Sequence, residues 1–394
     1  MREEMTTLGE SCQFFNGKAH EKDIDAEGKY VVVNSKFISR DGKVRKFTGK
    51  QMFPLFEDDI VMVMSDVPNG KALAKCYIIE ENDKYSLNQR ICAIRTTEFD
   101  IRFLYYQLNR HPFLLAFNNG ENQSNLRKGD ILNCPLWKPE IEIQEQIVEL
   151  LDDALEQIEL ANVTVEKNIE NTSELFQSKL MEIFSIKNDN WEIKQINEIC
   201  EVKDGTHASP KYVSEEKGIP FITQKNVLDV GLSFADIKHI SKKDHEDIYK
   251  RSNVAYNDIL FSMIGANRGM ACIVDDERIF SIKNVGLIKA SKFYRPKFLL
   301  FYFKSPIAQK YVKENSSGSA QGFIGLGKLR AFPVPLISIE LQDEIITQLD
   351  YLNLSVSELI KSFELKLTNL EELKKSILQQ AFAGELSKKQ LITI

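Results

Sequence analysis

Two stretches of the chain carry the same heptad repeat of apolar residues, and this feature limits the possible folds more than any other. In the second stretch, nine of ten positions spaced alternately by four and three residues are apolar, which is typical of a coiled-coil seam. Subtracting 198 from each position gives a similar seam in the first stretch, which continues to Leu175. The residues predicted to form the two seams are Ile147, Leu151, Ile158, Val165, Ile345, Leu349, Leu352, Val356, Leu359 and Phe363.

The chain has only two such helices, so each is expected to pair with the other. A seam of about 35–40 residues gives a rod of roughly 55 Å. One globular segment precedes each helix, and an antiparallel pair would place the two segments at opposite ends of the rod, related by a pseudo-two-fold axis. A polar residue occupies the same rung in both helices, Asn168 and Lys366. Such a position either fixes the register or is a simple loss of an apolar contact.

The two globular segments are themselves similar, which indicates an ancestral duplication. Each combines short β-branched runs, typical of strands, with one aromatic helix and a polar loop before the long helix. The matched blocks, in order, are residues 8–12 with 196–200, 30–36 with 219–225, 59–65 with 258–264, 88–94 with 284–290, and 101–108 with 296–303.

The predicted fold class is α+β, with two similar α+β domains separated by two long helices that form an antiparallel coiled coil. The predicted segments are a first globular domain at 1–133, a first helical region at 134–190, a second globular domain at 191–333 and a second helical region at 334–394.

The net charge of −6 is unevenly distributed along the chain. Residues 131–190 hold 4 basic and 13 acidic side chains, whereas residues 191–333 hold 22 basic and 16 acidic ones. The acidity therefore lies mainly in a helix, and the globular segments are neutral or basic. This distribution permits DNA binding but does not demonstrate it.

Several classes of function have no support in the sequence. The six cysteines and five histidines show no CxxC or HExxH spacing, so no metal site is predicted. No catalytic constellation is found, and the Asn-Pro-Pro-aromatic motif of an adenine methyltransferase is missing. Residues 322–328 fit GxxxxGK, but Leu329 stands where a nucleotide-binding loop needs Ser or Thr. No long apolar run or signal-peptide core occurs, which predicts a soluble cytoplasmic protein.

Four stretches resemble one known family, the specificity subunit of type I restriction–modification systems. Residues 135–152 (PLWKPEIEIQEQIVELLD) and 335–350 (PLISIELQDEIITQLD) resemble its proline-containing entries into the long helices. Residues 376–386 (SILQQAFAGEL) resemble its C-terminal helix end, and residues 122–128 resemble the loop that closes its recognition domains. The likeness extends over nearly the whole chain.

The resemblance implies a non-catalytic subunit that reads a two-part site in double-stranded DNA, with residues 1–133 and 191–333 as its two target recognition domains. It also implies two modification subunits, bound to the helices, that carry out S-adenosylmethionine-dependent adenine N6 methylation. Two restriction subunits would supply ATP-driven translocation and cleavage. S-adenosylmethionine, ATP and magnesium are therefore expected on partner subunits and none of them on this chain.

Base edges are read by Arg, Lys, Asn, Gln, Ser and Thr, and phosphates take most of the remaining contacts, so polar loops in matched positions are the predicted DNA-binding surface. In the first domain the candidates are Asn16, Lys18, His20, Asn34, Ser35, Lys36, Arg40, Lys43, Arg45, Lys46, Asn122, Gln123, Ser124, Asn125 and Arg127. In the second they are Lys203, Thr206, His207, Thr223, Gln224, Lys225, Asn226, Asn267, Arg268, Ser319, Gln321 and Lys328.

Two other functions stay open on the sequence alone. The chain could be a coiled-coil scaffold that does not bind DNA, or a stand-alone nuclease, although no carboxylate cluster supports the nuclease. The acidic outer face of the first helix is either solvated surface or a docking face for modification subunits. Its residues are Glu145, Glu149, Asp152, Asp153, Glu156, Glu159, Glu166 and Glu170.

Overall fold

The computed structural model describes residues 5–66, 71–118, 124–185, 191–317 and 322–383. The chain divides into two compact units, one formed by Met1–Thr164 with Leu367–Ile394 and the other by Val165–Lys366. Each unit thus contains one globular segment together with a part of each long helix. The division into four segments at 133, 190 and 333 stays a prediction.

The first unit is built from short strands and helices that precede a long helix. Its strands are β1 Met5–Thr7, β2 Gln13–Asn16, β3 Tyr30–Val33, β4 Phe47–Thr48, β5 Ile60–Val63, β6 Ser65–Asp66, β7 Cys76–Ile78, β8 Tyr85–Leu87, β9 Ile91–Arg95, β10 Ser124–Asn125 and β11 Pro135–Trp137. Its helices are α1 Leu8–Ser11, α2 Ser35–Ser39, α3 Ile101–Leu108, α4 Pro112–Leu115, α5 Lys128–Leu132 and the long α6 Ile141–Ser185, which continues into the second unit.

The second unit repeats this order. Its strands are β12 Glu192–Gln195, β13 Val202–Asp204, β14 Tyr212–Val213, β15 Ile219–Ile222, β16 Val227–Leu228, β17 Gly231–Leu232, β18 Lys238–Ile240, β19 Ile259–Ser262, β20 Ala271–Ile273, β21 Ser281–Ile282, β22 Val285–Ile288 and β23 Pro333–Leu336. Its helices are α7 Lys242–Ser252, α8 Pro296–Lys304, α9 Pro306–Glu314, α10 Leu326–Arg330 and the long α11 Ile339–Phe382, which continues into the first unit.

The two units share one sheet topology, which confirms the predicted α+β duplication. A four-stranded antiparallel sheet has the order β2-β9-β5-β7 in the first unit and β13-β22-β19-β20 in the second. A second sheet contains a parallel pair in both, β3 with β8 and β15 with β21. In each unit the first strand pairs with the strand directly before the long helix, β1 with β11 and β12 with β23.

One matched block is shifted by two residues relative to the sequence comparison. Strand pairing makes Ile94 the equivalent of Ile288, because they lie opposite Ile60 and Ile259 in the same sheet. The match of residues 88–94 with 284–290 was therefore wrong in register. The first unit has a longer turn before β9, which sequence similarity alone did not reveal.

The long helices pack against each other in the antiparallel sense that the heptad repeat predicts. In the first unit, Ile147, Leu151 and Ile158 of α6 share a core with Ile377 and Ala381 near the end of α11. In the second unit, the late residues of α6 share a core with the early residues of α11. The buried members that these two helices contribute are Phe176, Leu180, Ile183, Phe184, Ile345, Leu349 and Val356.

The heptad repeat slips by one residue in the second unit, so the predicted seam is wrong there at two positions. Leu175 and Leu359 are 56% and 45% exposed. Their neighbours Phe176 and Ile360 pack in the core instead. An α-helix has 3.6 residues per turn, so a strict 3.5-residue repeat drifts around it until an extra step of four corrects the drift. Leu352 and Phe363 are half-buried, and Val165 is buried.

A buried glutamine joins each globular segment to the start of a long helix. Oε1 of Gln144 accepts from the backbone nitrogen of Asp100 at 2.9 Å, and its Nε2 donates to the carbonyl of Pro139. Gln342 does the same for Arg295 at 2.9 Å, and its Nε2 reaches the carbonyls of Phe293 and Ile337. Both side chains are almost fully buried. The duplicated contact fixes the aromatic helices α3 and α8 on the helical pair.

Replacing Gln342 with alanine should lower the free energy of unfolding of the second unit by about 1–3 kcal/mol, because three backbone groups lose the side chain that pairs with them. Denaturant unfolding of the full chain measures this change. Gln348→Ala is the matched control, since Gln348 is an exposed glutamine on the same helix. Equal stability of the two variants would show that the contact is dispensable.

Candidate nucleic-acid interface

The first polar loop of each unit is held tightly against the strand that leads to the next turn. A Cβ placed on Gly17 would lie 2.1 Å from the carbonyl oxygen of Asn88, and one on Gly205 would lie 2.2 Å from that of Ile282. Only glycine permits such an approach. The loops that follow are anchored by equivalent parallel bridges, Lys18 with Asn88 and Thr206 with Lys283.

In the second unit the predicted polar loops meet around one groove of about 680 Å³. Five separate segments of the chain contribute to it: the loop after β13, the turn after β15, the turn after β19, the turn between β21 and β22, and the segment before α10. The lining residues are Asp204, His207, Gln224, Met263, Ile264, Gly265, Ala266, Asn284, Phe323, Ile324, Gly325 and Leu326.

A hydrogen-bonded chain of four side chains lies along this groove. Arg251 of α7 donates from Nε to Oδ1 of Asp204 at 3.0 Å, and Nε2 of His207 lies 3.1 Å from Oδ2 of the same carboxylate. Nδ1 of His207 lies 2.7 Å from Oδ1 of Asn284. Asp204 is buried, whereas the His207 side chain is 62% exposed. These hydrogen bonds therefore connect the buried carboxylate of Asp204 to the exposed ring of His207.

A smaller cavity of about 270 Å³, called the lysine cavity below, adjoins the groove, and Gln224 and Asn284 line both. Three lysines surround the cavity, Lys225, Lys238 and Lys283, with one carboxylate, Asp236. The ammonium group of Lys238 lies 4.5 Å from the centroid of the Tyr212 ring. Together the two cavities place amides next to cations, which are the groups that contact base edges and phosphates respectively.

The first unit arranges its predicted residues in a similar way. The backbone nitrogen of Lys18 donates to Leu87, and that of Asn88 donates to Val33, so the loop at 16–20 and the turn at 34–36 lie beside each other. Exposed candidates here are Asn16, Lys18, Lys36, Arg40, Lys43, Arg45, Lys46, Asn125 and Arg127.

Some predicted DNA contacts have a structural role instead. His20 is fully buried, with Nδ1 near the carbonyl of Lys18 and Nε2 2.8 Å from Oγ of Ser86, so it is not accessible to DNA. Asn226 is also buried, and its Oδ1 accepts from the backbone nitrogen of Thr223. These two predictions were wrong, because both side chains are buried and form hydrogen bonds inside the protein.

Three further candidates are partly engaged within the protein. Asn34 caps α2 by accepting from the backbone nitrogen of Phe37, so the extended run predicted at 30–36 ends at Val33. Asn267 donates to the carbonyls of Gln224 and Val227. Lys203 donates to Oδ1 of Asn253 and pairs with Glu201. Ser35, Thr206, Thr223 and Arg268 are half-buried, and Lys328 is exposed.

The remaining candidates are outside the described structure. Asn122, Gln123, Ser319 and Gln321 lie outside the described residues, and the side chain of Ser124 is likewise not described. Sequence reasoning missed Asp204, Asn284 and Phe323 in the groove, and Lys238 and Lys283 in the smaller cavity. Asn284 stood in a matched block, so its position beside a turn was a usable signal.

The cysteines are structural residues. Five of the six are buried, and burial raises the pKa of Cys92 and of Cys272 to about 12. These thiols therefore stay protonated at neutral pH, and a protonated thiol is a poor nucleophile.

Across the ranges that the structure describes, no group of three or more His, Cys, Asp or Glu side chains could hold a metal ion. No described helix has the length and apolar character needed to span a bilayer.

Comparison with known proteins identifies the family. The profile described as "Type I restriction modification DNA specificity domain" matches residues 3–171 and 188–372. The chain belongs to this family. The two matches correspond to the two halves of the duplication. Members of the family are recognition subunits and not catalytic ones, and the chain is accordingly a DNA sequence-recognition subunit that works with the other subunits of a type I system.

Individual relatives agree with this assignment. The specificity subunit of the type I restriction enzyme EcoBI from Escherichia coli is 26% identical over 334 residues, which is 76% of this chain and 69% of that protein. A chain from a structural study of complex assembly and conformational transition of the type I R-M system superposes with a TM-score of 0.77, 18% identity and coverage of 97% and 98%. The HsdS subunit from Thermoanaerobacter tengcongensis gives a TM-score of 0.57, 18% identity and 97% coverage of both chains.

Proposed function

We propose that this specificity subunit reads a two-part DNA site, with one recognition domain for each part. This proposal rests on one observation in the second unit. Its polar loops meet at a groove where amide side chains lie beside the lysine cavity. The first unit has the same topology and a comparable polar edge, so a second, separate reading event follows from the duplication. Carboxamides such as those of Gln224 and Asn284 supply the donor and acceptor pairs that distinguish bases in the major groove.

The catalytic chemistry belongs to partner subunits in this proposal. Two modification subunits would bring S-adenosylmethionine and methylate adenine, and two restriction subunits, where present, would use ATP and magnesium. The chain would hold none of these cofactors and would act in the cytoplasm, where the DNA is.

The acidic face of α6 is the proposed docking surface for modification subunits. Glu149, Asp153, Glu156 and Glu159 are exposed, and the exposed apolar residues Leu160 and Val163 lie next along the helix. Asp152 is the exception, because it pairs with Arg102 and accepts from Tyr106 at 2.5 Å within the first unit.

The proposal is tested by producing the chain with a modification subunit of its own host and mapping methylated adenines by modification-sensitive sequencing. The expected result is a motif of two short sequences separated by a fixed gap. The purified chain alone should not methylate or cleave DNA. A single contiguous motif would contradict the two-reader proposal, and methylation without any sequence preference would contradict recognition by this subunit.

Lys225→Ala should weaken DNA binding of the assembled complex about equally for all sequences and reduce the slope of log affinity against log salt by about one. The reason is that Lys225 is exposed in the lysine cavity and would neutralise one phosphate. Gel shifts over a salt series measure the slope. Lys203→Ala is the control, since Lys203 is paired within the protein. An unchanged slope for Lys225→Ala would show that Lys225 does not contact a phosphate.

A further inference from the structure

The buried carboxylate of Asp204 determines where His207 carries a proton. Asp204 is 4% exposed, and its carboxylate forms an ion pair with Arg251. An ionised carboxylate can only accept hydrogen bonds. Because Oδ2 of Asp204 lies 3.1 Å from Nε2 of His207, that nitrogen must carry a proton whether the ring is neutral or charged.

The other ring nitrogen then determines how Asn284 is turned. In a neutral ring Nδ1 has no proton, so it must accept from the amide nitrogen of Asn284, and the amide oxygen faces the groove. In a charged ring Nδ1 donates across the 2.7 Å contact to Oδ1 of Asn284, and the amide NH₂ faces the groove. The carboxamide thus presents an acceptor in one state and a donor in the other.

We propose that Asn284 is a specificity-determining residue of the second recognition domain, and that Asp204 and His207 are positioning residues that set its hydrogen-bonding polarity. This inference rests on the proposed function of the groove. An acceptor would pair with the amino group of cytosine or adenine. A donor would pair with O6 or N7 of guanine, O4 of thymine or N7 of adenine.

The backbone holds Asn284 firmly enough for this role. Its φ is 53°, in the left-handed region that asparagine tolerates, and its nitrogen donates to the carbonyl of Thr206. Thr206 in turn donates to Ile282. Within the described ranges Nδ2 of Asn284 has no hydrogen-bond partner, and the residue lines both the groove and the lysine cavity. A rigid backbone with a free amide atom is what base reading requires.

The charged groups around the histidine come from three elements. Asp204 lies on β13, Arg251 on α7 and Lys283 directly after β21, where its Nζ bonds to Ser209. Of these groups, the carboxylate of Asp204 contacts the ring of His207 directly, at Nε2.

The first experiment compares Asn284→Ala and Asn284→Asp in the complete complex with a modification subunit, using the methylated motif as the readout. Asn284→Ala should lose preference at one base position of one half of the motif, by about tenfold or more. Asn284→Asp offers only acceptors, so it should favour a base with an amino group there. Asn197→Ala, an exposed asparagine elsewhere in the unit, should leave the motif unchanged. A uniform loss of methylation in the Asn284 variants, with preference retained, would overturn the inference.

The second experiment tests the positioning residues. Affinities for the wild-type site and for a site changed at that base are compared in the wild-type complex and in His207→Phe, whose ring cannot hydrogen-bond to Asp204 or Asn284. The ratio of the two affinities should fall in His207→Phe, because the amide of Asn284 is no longer held in one orientation. An unchanged ratio would overturn the role of His207. If the wild-type complex gave no two-part motif, the proposed function itself would fail, whereas a normal motif insensitive to Asn284 would overturn only this inference.

Discussion

Asp258→Ala is expected to destabilise the second unit by about 3–5 kcal/mol, a large fraction of the total stability of a typical domain. Asp258 is 1% exposed, and its carboxylate accepts from Lys289 and from the backbone nitrogens of Ala255 and Ala290 at 2.8 and 2.9 Å. Removing it leaves the ammonium group of Lys289, whose side chain is only 15% exposed, without its counter-charge. Two backbone donors would lose their acceptor as well.

The duplication supports the importance of this pair. In the first unit Asp59 accepts from Arg95 and from the backbone nitrogen of Phe56, at the equivalent place in the sheet. The charged partner differs, but a buried acid–base pair is present in both copies. We therefore expect Asp59→Ala to lower the stability of the first unit for the same reason.

Hydrogen exchange of residues 259–273 in the full chain measures the loss locally, and denaturant unfolding measures it globally. Asp276→Ala is the control, because Asp276 pairs with Arg278 at the surface and should matter little. The double variant Asp258→Leu with Lys289→Met should recover stability relative to Asp258→Ala, since apolar replacement of both partners removes the unpaired charge. Full stability of the single variant would show that the buried pair is unimportant.

Exchanging residues 191–333 for the corresponding segment of another family member is expected to change one half of the methylated motif completely. The other half and the gap should stay the same, because residues 1–190 and both long helices are retained. Modification-sensitive sequencing of the host genome gives the result directly. The reciprocal exchange of residues 1–133 should change only the other half.

The exchange crosses an aromatic contact that must be preserved. Phe184 of α6 lies 5.6 Å from the ring of Phe298 and 5.2 Å from that of Tyr302, so the incoming segment needs aromatic residues at these places. An exchange that lacks them serves as a control and should give unstable protein. Simultaneous change of both halves of the motif by a stable chimera would contradict independent reading by the two domains.

The sequence by itself determined the duplication, the aromatic helices and the pairing of the two long helices. These features depend on local periodicity and on the order of blocks, both of which are written along the chain. The aromatic helix predicted at 101–108 is present with those bounds, and the one predicted at 296–303 extends one residue further. Loop polarity also indicated the segments that form the groove.

Only the tertiary structure decided which polar side chains face the groove. His20 and His207 occupy matched loops, yet the first is buried against Ser86 and the second is exposed between Asp204 and Asn284. Ser86 and Asn284 lie 66 and 77 residues away from their histidines in the chain, and local sequence does not specify these partners. The slip that replaces Leu359 by Ile360 has the same origin, because side-chain packing determines where an α-helix corrects its drift from a heptad repeat.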